Sequence, residues 1–194
     1  MSLANAAFEA GELERARDHL IAAEAAFPGF ADPSQSAELA LARWHEQSGD
    51  VDAAMAARER WLAFNADDFT VRLEVARWHA TGGRPERAIP LLQEANDVDP
   101  FQRRLHRDWG MALLELGRFE EAEREARAAQ LVPLELEAED LGPLEGEELA
   151  DVLSIAVRAH TGLGQAGPAR EAFEAMIAAD PKHPDRAALE RALP

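Results

Sequence analysis

Small and apolar side chains return every three or four positions along most of this chain, with charged residues filling the intervals. In Gly117-Arg-Phe-Glu-Glu-Ala-Glu-Arg-Glu-Ala-Arg-Ala-Ala the phenylalanine and alanines gather on one side of a helical wheel, and the glutamates and arginines on the other. A period near 3.6 predicts amphipathic helices. Read this way, the chain carries helices over roughly 4–10, 12–26, 34–48, 50–64, 68–81, 84–97, 101–116, 118–130, 147–162, 165–179 and 184–192, with boundaries good to about two to four residues. Pro85 suits the first turn of its helix, whereas Pro90 falls inside the same helix and predicts a kink or a late start.

The punctuation between these helices is periodic. Gly49, Gly83 and Gly117 stand 34 residues apart, and Gly11 and Gly164 open similar segments at spacings of 38 and 47. Alanine follows each of the five glycines by five residues, as Ala16, Ala54, Ala88, Ala122 and Ala169. Proline follows by seventeen in three of them, as Pro28, Pro100 and Pro181, with Ala66 and Leu134 in the other two. Upstream of the glycine the phrase Ala42-Arg43-Trp44-His45 recurs as Ala76-Arg77-Trp78-His79. Glycine permits a sharp turn between helices, and alanine lets two backbones approach.

A unit of 34 residues with these marks resembles the tetratricopeptide repeat. The resemblance implies an all-α chain, a right-handed superhelical solenoid of antiparallel helix pairs in one domain over 1–194. Its repeats fall at about 1–30, 34–66, 68–100, 102–134 and 149–181, followed by a capping helix at about 184–193. The chain departs from the family in its short first helix, its lack of tyrosine, and an insertion at 134–148 that holds seven acidic residues. A solvated loop is the favoured reading of that insertion, over an acidic docking loop, because surface insertions are readily tolerated.

The resemblance also implies a concave groove lined by the first helix of each repeat, where an extended peptide binds. Positions 13, 10, 6, 3 and 2 before each turn glycine share the face turned away from the second helix. These positions place Arg43, Arg77, Arg104, Arg107, Met111 and Arg158 in the groove, with Glu46, Glu115 and Asp151 as the acidic members. Five arginines against three acids make that face basic within a chain of net charge −17. A guanidinium offers a planar fork of donors suited to carboxylates, so an acidic segment or a chain-terminal carboxylate is the expected guest. The competing reading pairs these arginines with glutamates of adjacent repeats. The family's carboxylate clamp of lysine and asparagine has no counterpart here.

Trp44 and Trp78, five before the glycine, are expected to pack in the seam between repeats, and Trp61 and Trp109 in the core. His45, His79 and His160, four before it, are expected as packed side chains with satisfied nitrogens, since equivalent residues of stacked repeats lie roughly 10 Å apart, too far to share a metal. Gly162-Leu-Gly164-Gln-Ala-Gly167 has the letters of a dinucleotide fingerprint, but Gly164 is in register with four other turn glycines, not between a strand and a helix. No P-loop, serine elbow, calcium loop or opposed catalytic pair of carboxylates accompanies it. No cofactor, metal or catalytic residue is therefore expected.

The strong negative charge disfavours nucleic acid and anionic membrane surfaces, and the chain has no apolar run of the length, about 18 residues, that spans a bilayer. A chain without cysteine fits a reducing, cytoplasmic setting. The expected function is that of a non-catalytic scaffold holding a protein or peptide. Two others stay open: an accessory domain of a larger enzyme or assembly, motivated by the clipped first helix, and a homodimer, motivated by a poorly capped apolar face at Leu20 and Ala23.

Overall fold

A computed structural model describes residues 2–30, 32–131 and 144–194. Among these residues every regular element is helical. The order is α1 (Ser2–Glu9), α2 (Leu13–Ala26), a short 3-10 turn at Pro33–Gln35, α3 (Ala37–Gln47), α4 (Val51–Leu62), α5 (Phe69–Thr81), α6 (Pro85–Val98), α7 (Arg103–Glu115), α8 (Phe119–Leu131), α9 (Gly146–Gly162), α10 (Ala166–Ala179) and α11 (Arg186–Ala192). No described helix is long and apolar enough to cross a membrane.

The five repeat glycines make the five hairpins. Gly11, Gly49, Gly83, Gly117 and Gly164 all adopt φ between 67° and 80°, a left-handed conformation that costs other L-residues energy. Around Gly49 the turn closes by two backbone bonds: Gly49 N–H donates to Glu46 O at 3.0 Å and Asp50 N–H to His45 O at 2.9 Å. The same pair recurs at Gly83, Gly117 and Gly164, which is the Schellman arrangement that satisfies the last carbonyls of a helix. The five alanines that follow, Ala16, Ala54, Ala88, Ala122 and Ala169, are each 0% exposed, as a close helix crossing demands.

The chain divides into two compact units, Met1–Val75 and Ala76–Pro194. In the first, Ala4, Leu20, Ala40, Leu41, Ala42 and Ala57 form one apolar cluster, so Leu20 is wholly buried and does not supply the bare face expected of it. Exposed large apolar groups among the described residues of this unit are Leu3, Leu13, Ile21, Phe27, Phe30, Val51 and Phe64 instead. Glu38 is buried as well, and it accepts from Gly29 N–H at 2.7 Å and Ser36 Oγ at 2.9 Å. In the second unit α8 packs on α7 and α9, and α10 and α11 on α9, around Ala150, Leu153, Val157, Phe173, Met176 and Leu189.

The helix α6 begins at Pro85 and runs through Pro90, so the late start is not found. Pro90 is exposed, and having no N–H it cannot donate to the carbonyl of Glu86 one turn earlier. The expected acidic loop falls mostly on residues 132–143, outside the described residues, and its last part, Gly146 to Glu148, is the first turn of α9.

Candidate functional site

The second unit holds a cavity of about 300 Å³. Four residues of α5 line it, Ala76, Arg77, Ala80 and Thr81, together with Arg107, Asp108 and Met111 of α7 and Asp151 and Ser154 of α9. Leu92 of α6 and Ala76, both buried, make its apolar floor, and Asp185, just ahead of α11, completes the lining. Helical periodicity explains the set. Arg77, Ala80 and Thr81 are three and four apart on one face of α5, as are Arg107 and Met111 on α7 and Asp151 and Ser154 on α9.

The rim is a run of paired charges. Both nitrogens Nε and Nη2 of Arg77 donate to Asp108 Oδ2, the former at 3.0 Å, while Arg107 reaches Asp108 Oδ1 at 3.4 Å. Asp108 thus holds two guanidinium groups, one on each oxygen. Arg107 Nη1 lies 3.6 Å from Asp151 Oδ2, and Asp151 Oδ1 accepts from His183 Nε2 at 3.2 Å. The Asp185 N–H donates to His183 Nδ1 at 3.3 Å, so the ring proton sits on Nε2, pointed at Asp151. Arg158 closes the run by donating to Asp185 Oδ2 at 2.6 Å.

Of the six residues expected in a groove, Arg77, Arg107 and Met111 line this cavity, and Arg158 stands behind its rim on Asp185. Arg104, on α7, is exposed and makes no ion pair with a described residue. Arg43 belongs to the first unit, where it too is exposed and makes none. Ala76, Leu92, Asp108 and Asp185 line the cavity from outside the register positions. Two arginines against three aspartates leave the lining one charge negative, so it is not the basic surface that the register count anticipated. The arginines pair across repeats, though with aspartates rather than glutamates.

The tryptophans divide. Trp61 is in the core at 1% exposure, but Trp44 and Trp78 are only half-buried. Trp44 donates from Nε1 to Leu13 O at 3.1 Å with Arg17 5.5 Å from its ring, and Arg84 stacks 3.9 Å over Trp78. An indole at the turn end of a helix can cover apolar neighbours and still offer one face to a cation. The histidines diverge too. His79 is buried, His160 Nδ1 pairs with Gln165 Oε1 at 2.8 Å, and the buried Nδ1 of His45 has no hydrogen-bond partner among the described residues.

Next to Arg107, His106 joins α7 to α8. Its Nδ1 lies 2.7 Å from Glu125 Oε2 and its Nε2 2.8 Å from Pro100 O, so both nitrogens face acceptors and only the imidazolium can donate to both. Burial works against that cation, and the bond to Glu125, the bond to Pro100 and the charge of Glu125 together outweigh it and raise the pKa above 6.5. A raised folded-state pKa stabilises fully below the unfolded value near 6.5 and ceases to do so as pH climbs through the folded one. Urea unfolding should therefore show the chain losing stability between pH 6 and 9 by more than a His106→Gln variant does. Parallel pH profiles of the two proteins would contradict the assignment.

No protein-family model matches the chain, and no curated protein does. Solved structures do. MamA of AMB-1 is similar at a TM-score of 0.64 and 22% identity, over 92% of this chain and 96% of that one. YrrB, a TPR protein with an unusual peptide-binding site, is similar at 0.69 and 19%, over 97% and 88%. A thermophilic TPR protein of Thermus thermophilus is similar at 0.55 and 20%, over 99% and 96%.

Proposed function

We propose that this chain, whose fold is that of the tetratricopeptide repeats, is a non-catalytic scaffold that holds a peptide or protein segment in the hollow of its second unit. The observation that carries the reading is the cavity itself: apolar at its floor, through Ala76, Ala80 and Leu92, and polar at its rim, through Arg77, Arg107, Asp108, Asp151 and Asp185. Such a lining orders a guest by a few placed polar groups and gains affinity from the water it expels. YrrB, similar over most of its length, is a peptide binder, which favours the same role here. Helical repeats supply area and curvature to a partner.

Arg77, Arg107 and Met111 are the proposed contacts, with Arg158 holding Asp185 in place. Arg104, exposed and free of ion pairs to described residues, is proposed as an outlying contact for a longer partner, and Arg43, equally exposed and free of them, as a separate contact on the first unit. The guest need not be wholly acidic, because the rim arginines already have aspartates, although Arg77 and Arg107 share one.

Filling the hollow tests this. Ala80 lines it and Ala80→Trp would occupy much of its volume. With the full chain as bait in native lysate, a partner captured by the wild type should be lost to the Ala80→Trp bait, with helix content unchanged by circular dichroism. A partner held equally well by both baits binds elsewhere, and the hollow then loses its assignment.

A further inference from the structure

We infer that the segment held in the hollow is bipolar, presenting an acidic group to the α5 and α7 side, a basic group to the α9 and α11 side, and an apolar side chain to the floor between them. The inference rests on the reading of the hollow as a peptide site, and it adds the chemistry of the guest.

Charge around the cavity is unevenly placed. On the α5 and α7 side Arg77 and Arg107 share the single carboxylate of Asp108, two cations against one anion. Arg77 spends Nε and Nη2 on that carboxylate, and Nη1 carries further N–H groups with no acceptor among the described residues. On the α9 and α11 side Asp151 and Asp185 both line the cavity, whereas Arg158, the arginine bonded to Asp185, does not. Asp185 gives Oδ2 to Arg158, and its Oδ1 accepts no hydrogen bond from a described residue. Asp151 accepts from His183 Nε2 at 3.2 Å and meets Arg107 across 3.6 Å, which leaves Asp185 as the lining acid with a spare oxygen.

Spare donors and a residual positive charge thus lie on the α5 and α7 side of the lining and spare acceptors and a residual negative charge on the α9 and α11 side, with Arg107 and Asp151 3.6 Å apart where the two meet. Complementary potentials select partners and fix their direction, and like charges brought together in a partly desolvated site are rejected. A wholly acidic guest would satisfy Arg77 and Arg107 but set carboxylate against Asp151 and Asp185. A wholly basic one would make the reverse error.

The test is a randomised library of heptapeptides with blocked ends, panned over the full chain. Retained peptides should place Asp or Glu and Arg or Lys on opposite sides of a large apolar residue, always in the same chain direction. The double variant Arg158→Asp with Asp185→Arg exchanges the partners of one ion pair and so keeps the pair while making the lining position cationic. It should bind the retained peptides about tenfold more weakly, the size of one charge-assisted hydrogen bond, and gain affinity for analogues whose basic residue is replaced by Glu. Retention of acidic-only or charge-indifferent peptides overturns the bipolar guest and leaves the hollow as the site. Undiminished retention by Ala80→Trp, or no retention by the wild type, overturns the hollow as a peptide site and this inference with it.

Discussion

Replacing Trp61 with alanine is expected to remove about 3–5 kcal/mol of folding stability, the range for deleting a buried aromatic side chain. The indole is 1% exposed at the end of α4, and it does two things there. It fills the space between helices, and its Nε1 donates to Asp68 Oδ2 at 2.8 Å. Asp68 in turn caps α5, its other oxygen accepting from Val71 N–H at 3.1 Å. Removal of the indole therefore opens a void and frees the aspartate that starts the next helix. The two contributions can be separated. Trp61→Phe keeps much of the apolar volume and loses the bond to Asp68, which should cost about 1–2 kcal/mol. Urea unfolding followed by far-ultraviolet circular dichroism measures both. A Trp61→Ala protein within about 1 kcal/mol of wild type would mean that this region collapses onto the missing ring without penalty.

What could be read from the sequence follows from which constraints repeat. The turn glycines and the alanines five residues on are fixed by one backbone angle and one close approach, so each repeat states them again. That Arg77, Arg107 and Met111 share the face that lines the cavity follows from helical periodicity measured from those glycines. Asp108 escaped the same reasoning. It lies nine before its glycine, where Ala40, Glu74 and Ile155 stand in the other repeats, so no pattern singles it out. Its role depends on the distance to Arg77, 31 residues away. Asp185 and His183 lie after the last hairpin, where no glycine sets a register at all.

The sign of the cavity lining differs from that of the wider face for the same reason. Counting positions on one face sees the arginines, but not the aspartates that reach in from one position over or from beyond the repeats. Trp44 and Trp78 show the opposite limit, since periodicity points them to a seam but says nothing of Arg17 and Arg84, which lie over their rings.

Enlarging the alanine five residues after a turn glycine should be as informative as deleting a tryptophan. Ala122→Leu is expected to destabilise the second unit by about 3 kcal/mol, the upper end of what overpacking costs. Ala122 is 0% exposed, and its surroundings leave no route for relief. A Cβ placed on Gly110 of α7 would already meet Ile155 Cγ2 of α9 at 3.1 Å and the carbonyl of Ala122 at 3.5 Å. Three helices are in van der Waals reach at that point, held there by a glycine, an alanine and one branched side chain. Leucine needs room for three more heavy atoms, which only a movement of α8 against α7 or α9 can supply. Arg124→Leu, on the exposed face of the same helix, provides the control and should change stability by no more than about 0.5 kcal/mol. Equal costs at 122 and 124 would show that helix propensity or solubility, not close approach, governs the position, and the reason given for alanine at all five turns would then fail.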